Sequence, residues 1–131
     1  MNIIHKIKFG SSKKEIDELA EKVIKGEKIA TSSLLEYYKA ELKQPSKVGD
    51  YAYILNSSNE EVAIVKINKI EIRKFKDISE TFAAQEGDEN LQNWLNIHHP
   101  YYSKQLADIE KELTGDTELV CEWFHIEKVL I

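Results

Sequence analysis

The sequence predicts a mixed α+β domain in which a few strands, mainly antiparallel, form a partly closed sheet flanked by helices. Three observations carry this expectation. Capped segments with helical apolar spacing fill residues 12–26 and much of 77–115. Two β-branched runs, 51–55 and 62–75, flank the turn cluster Asn56-Ser57-Ser58-Asn59. A last apolar and aromatic run covers residues 118–130. Helices set apart from hairpin-connected strands are the mark of an α+β arrangement.

Taken in order, Ser12-Lys13-Lys14-Glu15 reads as a capping box, in which serine and glutamate each satisfy a free backbone N–H of the other. Ile16, Leu19, Ala20, Val23 and Ile24 then recur at helical spacing, and Gly26 supplies a C-terminal cap. Residues 28–31 read as a short extended piece. A second helix is expected from Ser33, with Glu36 completing its cap and Leu34, Leu35, Tyr38 and Leu42 on one face. Pro45 and Gly49-Asp50 mark the loop after it. The runs 51–55 and 62–75 form a hairpin. Asp77 to Glu80 cap a third helix that carries Phe82 and Ala83 and ends near Glu86-Gly87. A fourth begins near Asn90, with Leu91, Trp94, Leu95 and His98 on one face. Pro100 starts or kinks the next segment, whose stripe of Tyr102, Leu106, Ile109 and Leu113 stops at Gly115.

Composition narrows the functional classes. The 131 residues suffice for a single domain, 1–131, with one core. No apolar run approaches the roughly 18 residues of a membrane span. The opening Met1-Asn2-Ile3-Ile4-His5-Lys6 lacks the apolar core of a leader, and the single cysteine, Cys121, allows no internal disulfide, so a cytoplasmic location and no membrane partner are expected. The net charge of −5 and the single arginine, Arg73, weigh against a grip on long nucleic acid by phosphate neutralisation. Lys66, Lys69, Arg73, Lys74 and Lys76 fall on both faces of their strand, with Glu71 between them, and read as solvated surface. No His or Cys pair has metal-ligand spacing, and neither a phosphate loop nor a nucleophile elbow occurs, so neither metal nor cofactor is expected. Cys121, in an apolar strand, reads as a buried, inert thiol.

Three patterns resemble the ASCH family of PUA-like domains. Gly26-x-Lys28-x-x-Thr31 is similar to its G-x-K-x-x-T-x-R signature, with Ser33 where the arginine would stand. Gly49-Asp50 opens a strand, and the long strand after it ends near Phe75-Lys76-Asp77. Phe82-Ala83-x-x-Glu86-Gly87-Asp88, followed by Trp94, His98 and Tyr102, resembles the family's F-A-x-x-E-G segment and its aromatic run. The resemblance implies a PUA-like, partly closed β-barrel with a cleft for a modified nucleoside or RNA. Family members include RNA-binding modules, a nuclease, and amidohydrolases that deacylate N4-acetylcytidine. In the last group the catalytic lysine, threonine and glutamate would fall on Lys28, Thr31 and Glu86. Ser32, Ser33, Trp94, His98 and Tyr102 would line the cleft. A non-catalytic RNA-binding module, or a ribonuclease, is the alternative.

The chemistry sets conditions on that trio. In a regular strand Lys28 and Thr31, three apart, point to opposite faces and converge only if the chain turns between them. The serines after Thr31 predict such a turn into a helix, whose free N–H groups would stabilise an oxyanion. Threonine needs a base to become a nucleophile. Lys28 serves as that base only if burial lowers its pKa, whereas a neighbouring Glu86 favours the ammonium. Trp94 and His98, at i and i+4, share a helix face and form either a base-stacking wall or part of the core. The core is the simpler reading for Trp94.

Overall fold

The structure, a computed structural model, describes residues 3–131; Met1 and Asn2, which open the stretch read above for a leader, lie outside them. Its strands are β1 (Ile3–Ile7), β2 (Ala30–Leu34), β3 (Tyr51–Leu55), β4 (Glu61–Lys74) and β5 (Glu118–Val129). Its helices are α1 (Lys13–Ile24), α2 (Leu35–Lys39), α3 (Glu80–Gln85) and α4 (Leu91–Ala107). The strands make one sheet in the order β1-β3-β4-β5-β2. All pairings are antiparallel except that of β1 with β3, which is parallel. The partly closed sheet is thus mixed, and the short β1, not anticipated from the sequence, supplies its one parallel edge.

The long β4–β5 pair is the spine, running in register from Ala63↔Val129 to Lys74↔Glu118. Two irregularities, between Ile64 and Val65 and between Ile67 and Lys69, interrupt it. An extra residue at such a point increases twist and bends the strand, which curls the sheet into a half-barrel. Each face then buries its own core. On one side Ala30, Leu34, Leu119 and Cys121 pack against Phe82, Trp94, Tyr102 and Leu106 of α3 and α4. On the other, Ala52, Ile54, Val65 and Phe124 pack against Ala20 and Val23 of α1.

Local chemistry explains most boundaries. The Ser12 side chain accepts from Glu15 N while Glu15 reaches back to Ser12 N, completing the predicted capping box. Ser79 and Asn90 cap α3 and α4 with single side-chain bonds, accepting from Phe82 N and Asn93 N. Helix α4 runs unbroken through Pro100. Proline removes the N–H that would bond the Asn96 carbonyl. Burial of Trp94 before it and of Tyr102 and Leu106 after it holds both halves on one line. The helical stripe does not continue to Leu113: Asp108 caps the helix, Glu110 takes a positive φ of 60°, and Ile109 and Leu113 pack on the core from a non-helical segment.

The expected second helix starts late. Residues 31–34 pair with β5 from Thr31↔Glu122 to Leu34↔Leu119, so they belong to β2. Leu34 stands at the helix N-cap without a side-chain bond, and Leu42, expected on the buried face, is exposed. The ladder bonds with β5 outweigh the local capping preference of Ser33, whose hydroxyl bonds the Tyr38 hydroxyl at 2.8 Å instead. The turn predicted after Thr31 is therefore absent. Thr31 lies within a strand, not beside a helix N-terminus, and the oxyanion role argued from that position falls away.

Candidate functional site

Strand β2 is an edge strand whose two faces carry different polar groups. Alternation sends Ala30, Ser32 and Leu34 toward α3 and α4, and Thr31 and Ser33 to the opposite face. Lys28 and Glu86 meet on the helix side. Each is about 4% exposed in its side chain, and Lys28 Nζ lies 3.7 Å from Glu86 Oε1.

Glycine geometry makes the meeting possible. Helix α3 ends on Glu86, and Gly87 follows at φ +94°. A Cβ at Gly87 would stand 3.3 Å from Lys22 Cδ and 3.5 Å from Lys28 Cβ, so the bare backbone lets both lysines approach. Lys22 Nζ donates to Gly87 O at 2.6 Å, tying the same turn down from α1.

Lys28 Nζ also donates to Ala30 O at 2.9 Å and to Glu86 O at 3.0 Å. Two carbonyl oxygens thus take hydrogen bonds from Nζ, and the Glu86 carboxylate stands beyond hydrogen-bond reach as its ion-pair partner. A neutral amine could serve both carbonyls with its two N–H bonds, but its lone pair would then face the carboxylate, which the third ammonium proton faces favourably. Burial lowers the Lys28 pKa from 10.5 and Glu86 pulls it back up. The neighbouring Glu86 carboxylate favours the cationic form of Lys28.

Glu86 receives donors from every side. Ser32 N reaches Oε1 at 3.2 Å, and the Ser32 hydroxyl reaches Oε2 at 2.9 Å. Trp94 Nε1 also donates to Oε2. With its own proton on Glu86, Ser32 Oγ accepts from the Tyr102 hydroxyl 2.6 Å away. Burial pushes the Tyr102 pKa well up, which keeps that phenol protonated. The result is a directed chain, Tyr102 to Ser32 to Glu86.

His98 closes the network from outside. Its Nδ1 lies 2.9 Å from the Trp94 carbonyl, which can only accept, so Nδ1 carries a proton and Nε2 faces Glu86 Oε2 at 3.7 Å. Burial raises the Asp88 pKa and His98 opposes that rise. Glu86, Asp88 and His98 each bring one ligand atom within 4.8 Å of the others. A cation there would have to displace the donors already on Glu86 Oε2 and sit beside the Lys28 ammonium.

The predicted residues therefore divide. The structure joins Lys28, Glu86, Ser32, Trp94, His98 and Tyr102. Trp94 is fully buried, with His98 stacked on it at 4.3 Å and Phe75 at 5.4 Å, so it offers no ring face to a ligand; the core reading holds. Thr31 is not joined to Lys28 or Glu86 by any hydrogen bond, and it lies opposite Glu122 of β5 on the other face. Ser33 shares that face. Glu122 escaped the sequence reading because a lone acid carries no pattern of its own, and Asp88, quoted in the Glu86-Gly87-Asp88 run, was given no role there. Position 122, two from the buried Phe124 in an alternating strand, was the available signal.

Around the network a polar pocket of about 60 Å³ is lined by Ser32, Ser33, Tyr37, Lys43, Tyr102 and Gln105. A larger, open groove of about 380 Å³ between Phe75, Leu91, Leu95 and Leu113 is mostly apolar and holds none of the predicted site residues. The basic residues of β4 and the turn after it are engaged at the surface: Lys66 lies over the Tyr51 ring, Lys69 and Arg73 pair with Glu71 and lie over the Trp123 ring, and Lys74 and Lys76 reach Asp116. Cys121 is buried, and burial pushes its thiol up to about 12. No helix is long and apolar enough to cross a membrane among the described residues.

Comparison with known proteins supplies the relatives. A family model described as the ASCH domain matches residues 5–128. The fold is similar to the crystal structure of an ASCH domain from Lactobacillus crispatus JV V101, with a TM-score of 0.88 and 26% identity over 93% of this chain and 78% of that one. It is also similar to the crystal structure of a protein from Enterococcus faecalis V583, with a TM-score of 0.89 and 32% identity over 98% of this chain and 79% of that one. No curated protein matches the chain.

Proposed function

The chain belongs to the ASCH domain family, and from that footing we propose that it is a small amidohydrolase that deacylates nucleosides of the N4-acetylcytidine type, with Lys28, Thr31 and Glu86 as its catalytic set. The observation that carries this reading is the buried Glu86 carboxylate, held between the Lys28 ammonium and the Ser32 hydroxyl. A buried ion pair is weak evidence for stability alone, because desolvation offsets the attraction. Such a pair fed by a hydroxyl chain is suited to moving a proton.

In this reading Lys28 is the fixed cation that holds Glu86 in its acceptor role, and Glu86 is the group that takes and returns protons. His98, with Nε2 facing Glu86, passes them to the surface. A hydroxyl of β2 attacks the acyl carbonyl. The family resemblance assigns that attack to Thr31, while the hydroxyl already on Glu86 is that of Ser32. The net charge of −5 and the paired lysines of β4 favour a small uncharged nucleoside over a long RNA.

The test is release of acetate from N4-acetylcytidine, followed by chromatography, with Thr31→Ala, Ser32→Ala and Lys28→Met beside the wild type. Loss in Thr31→Ala alone assigns the nucleophile to the Glu122 face. Loss in Ser32→Ala alone assigns it to the Glu86 face. Absence of turnover by the wild type at high enzyme concentration would reject amidohydrolysis, and titration with short RNAs would then test the family's binding role.

A further inference from the structure

Helix α4 turns one half of its surface to the core and the other half to solvent. In a chain that is 31% charged, residues 90–103 form the longest run without Asp, Glu, Lys or Arg. Burial does not account for it, because Gln92, Asn93, Asn96, Ile97, Pro100 and Tyr101 within the run are all exposed. Ile97 and Tyr101 are 48% and 49% exposed. Asn93, Ile97, Pro100 and Lys104 follow an i, i+4, i+7, i+11 rhythm and form one stripe along the outside of the helix. The outer side of a surface helix ordinarily carries charges. Their loss, together with exposed aromatic and aliphatic groups, marks the centre of a protein interface.

The groups on this face identify the partner. Across a two-fold axis a residue meets its own copy, so a charge placed there repels itself. Asn and Gln amides and the Tyr hydroxyl both donate and accept, and an aliphatic group packs on itself. The outer face from Gln92 to Tyr101 holds only such self-complementary groups. It also offers an acceptor, because Pro100 leaves the Asn96 carbonyl without its helical N–H donor. An amide side chain of a second copy can supply that donor. Charges stand only at the two ends, and they are opposite in sign. Lys104 lies about 10 Å beyond Ile97 along the helix axis, at about 1.5 Å per residue. Glu89, just ahead of the Asn90 cap, lies about as far on the other side. Both are exposed, and among the described residues neither makes an ion pair.

We propose that α4 is a self-association surface: two copies of this chain pair their α4 helices antiparallel about a two-fold axis near Ile97, and Lys104 of each copy faces Glu89 of the other. Antiparallel pairing centred there carries each basic end onto an acidic end, whereas a parallel pair would set like charges together. Elsewhere two chains of net charge −5 repel, so an uncharged face with opposite ends is where identical copies meet with least repulsion. The helix is about 25 Å long and about 10 Å across. That footprint is smaller than a standard interface, so the pair is weak and concentration-dependent, with a Kd of about 10–100 µM. Tyr101 also lines the small pocket that Ser32 and Tyr102 share, so a second copy seated on Tyr101 stands at the mouth of that pocket. The pairing holds whether or not the chain deacylates nucleosides.

The experiment is sedimentation velocity over a concentration series that spans the expected Kd. The samples are wild type, Ile97→Glu, Lys104→Glu, the charge exchange Glu89→Lys with Lys104→Glu, and Ile72→Glu as control. Ile72 on β4 is 48% exposed, the same as Ile97. Every substituted position is at the surface, so the variants keep the fold, which circular dichroism checks. Wild type and control should rise from the mass of one chain toward that of two with increasing concentration, and stop there. Ile97→Glu should abolish the rise, because the axis sets the two new carboxylates against each other. Lys104→Glu should weaken the pair at least about threefold, since two rim ion pairs are lost at once. The charge exchange should restore the wild-type Kd, and it reads the pairing independently of Ile97. The mass of a single chain in wild type at every concentration overturns the proposal. So does a dimer that survives Ile97→Glu, growth beyond two chains, loss of the dimer in Ile72→Glu, or a charge exchange that recovers nothing of what Lys104→Glu loses.

Discussion

Replacing Lys28 by methionine removes the cation from the most buried ion pair in the structure. The side chain keeps its length and its packing over the Phe9 ring, which lies 4.5 Å from Nζ. What is lost is one ion-pair partner of Glu86 and the donors to Ala30 O and Glu86 O. Leaving one member of a buried pair without its counterion costs about 3–5 kcal/mol. A chain of this length is stable by about 7–20 kcal/mol, so the variant still folds. At roughly 4 °C per kcal/mol for a domain of this size, Tm should fall by about 12–20 °C. The assay is urea denaturation at neutral pH, with Glu86→Gln and the double variant completing a cycle. The double variant should lose less than the sum of the single losses, by about 1.5 kcal/mol or more, because the second change removes a charge already orphaned. A loss below about 1 kcal/mol in Lys28→Met would place the pair in the range of solvated surface bridges and refute the argument from burial.

Other expectations follow from the same geometry. Gly87→Ala should cost about 1–2 kcal/mol in urea denaturation, since φ +94° disfavours a Cβ and the neighbouring lysine stems must yield. Ser12→Ala should cost about 1 kcal/mol through loss of the α1 cap, with no effect on ligand binding measured by titration. The Cys121 thiol, raised to about 12 by burial, should resist an aromatic disulfide reagent in the native protein and react at once in denaturant. Burial raises the folded-state pKa of Glu122 above its unfolded value, so the protonated form favours folding. The associated stability is full below about pH 4.3, the ordinary glutamate value, and is lost as pH rises through the raised pKa. Glu122→Gln lacks that loss, so denaturation midpoints across this window should shift in the variant's favour as pH increases.

Much of the fold was legible because local chemistry and tertiary packing agree. Ser12 with Glu15, Ser79 and Asn90 cap helices as their spacing predicts, and the β3–β4 hairpin follows its turn cluster. Sequence reading failed where long-range pairing overrides a local preference. Ser33 looks like an N-cap, but β5 claims it for a ladder; Ile109 and Leu113 keep a helical rhythm that the chain abandons after Asp108. The site shows the same division. Lys28 and Glu86, 58 residues apart, come together because α3 ends against the segment leading into β2, a contact no periodicity encodes. Family resemblance named both residues. It also named Thr31, whose placement opposite Glu122 depends on the register of β2 against β5. A one-residue slip of that register would exchange the faces of Thr31 and Ser32, and nothing in the isolated segment fixes it.

The most direct measurement is kcat/KM for acetate release from N4-acetylcytidine by the wild type and by Glu86→Gln, which preserves shape but removes the proton acceptor. The account predicts measurable turnover in the wild type and a loss of about 10²–10⁴ in the variant, the range of a positioned acid–base group. Equal rates in the two proteins would contradict it, because the buried Glu86 network would then serve only to hold β2 against the helices.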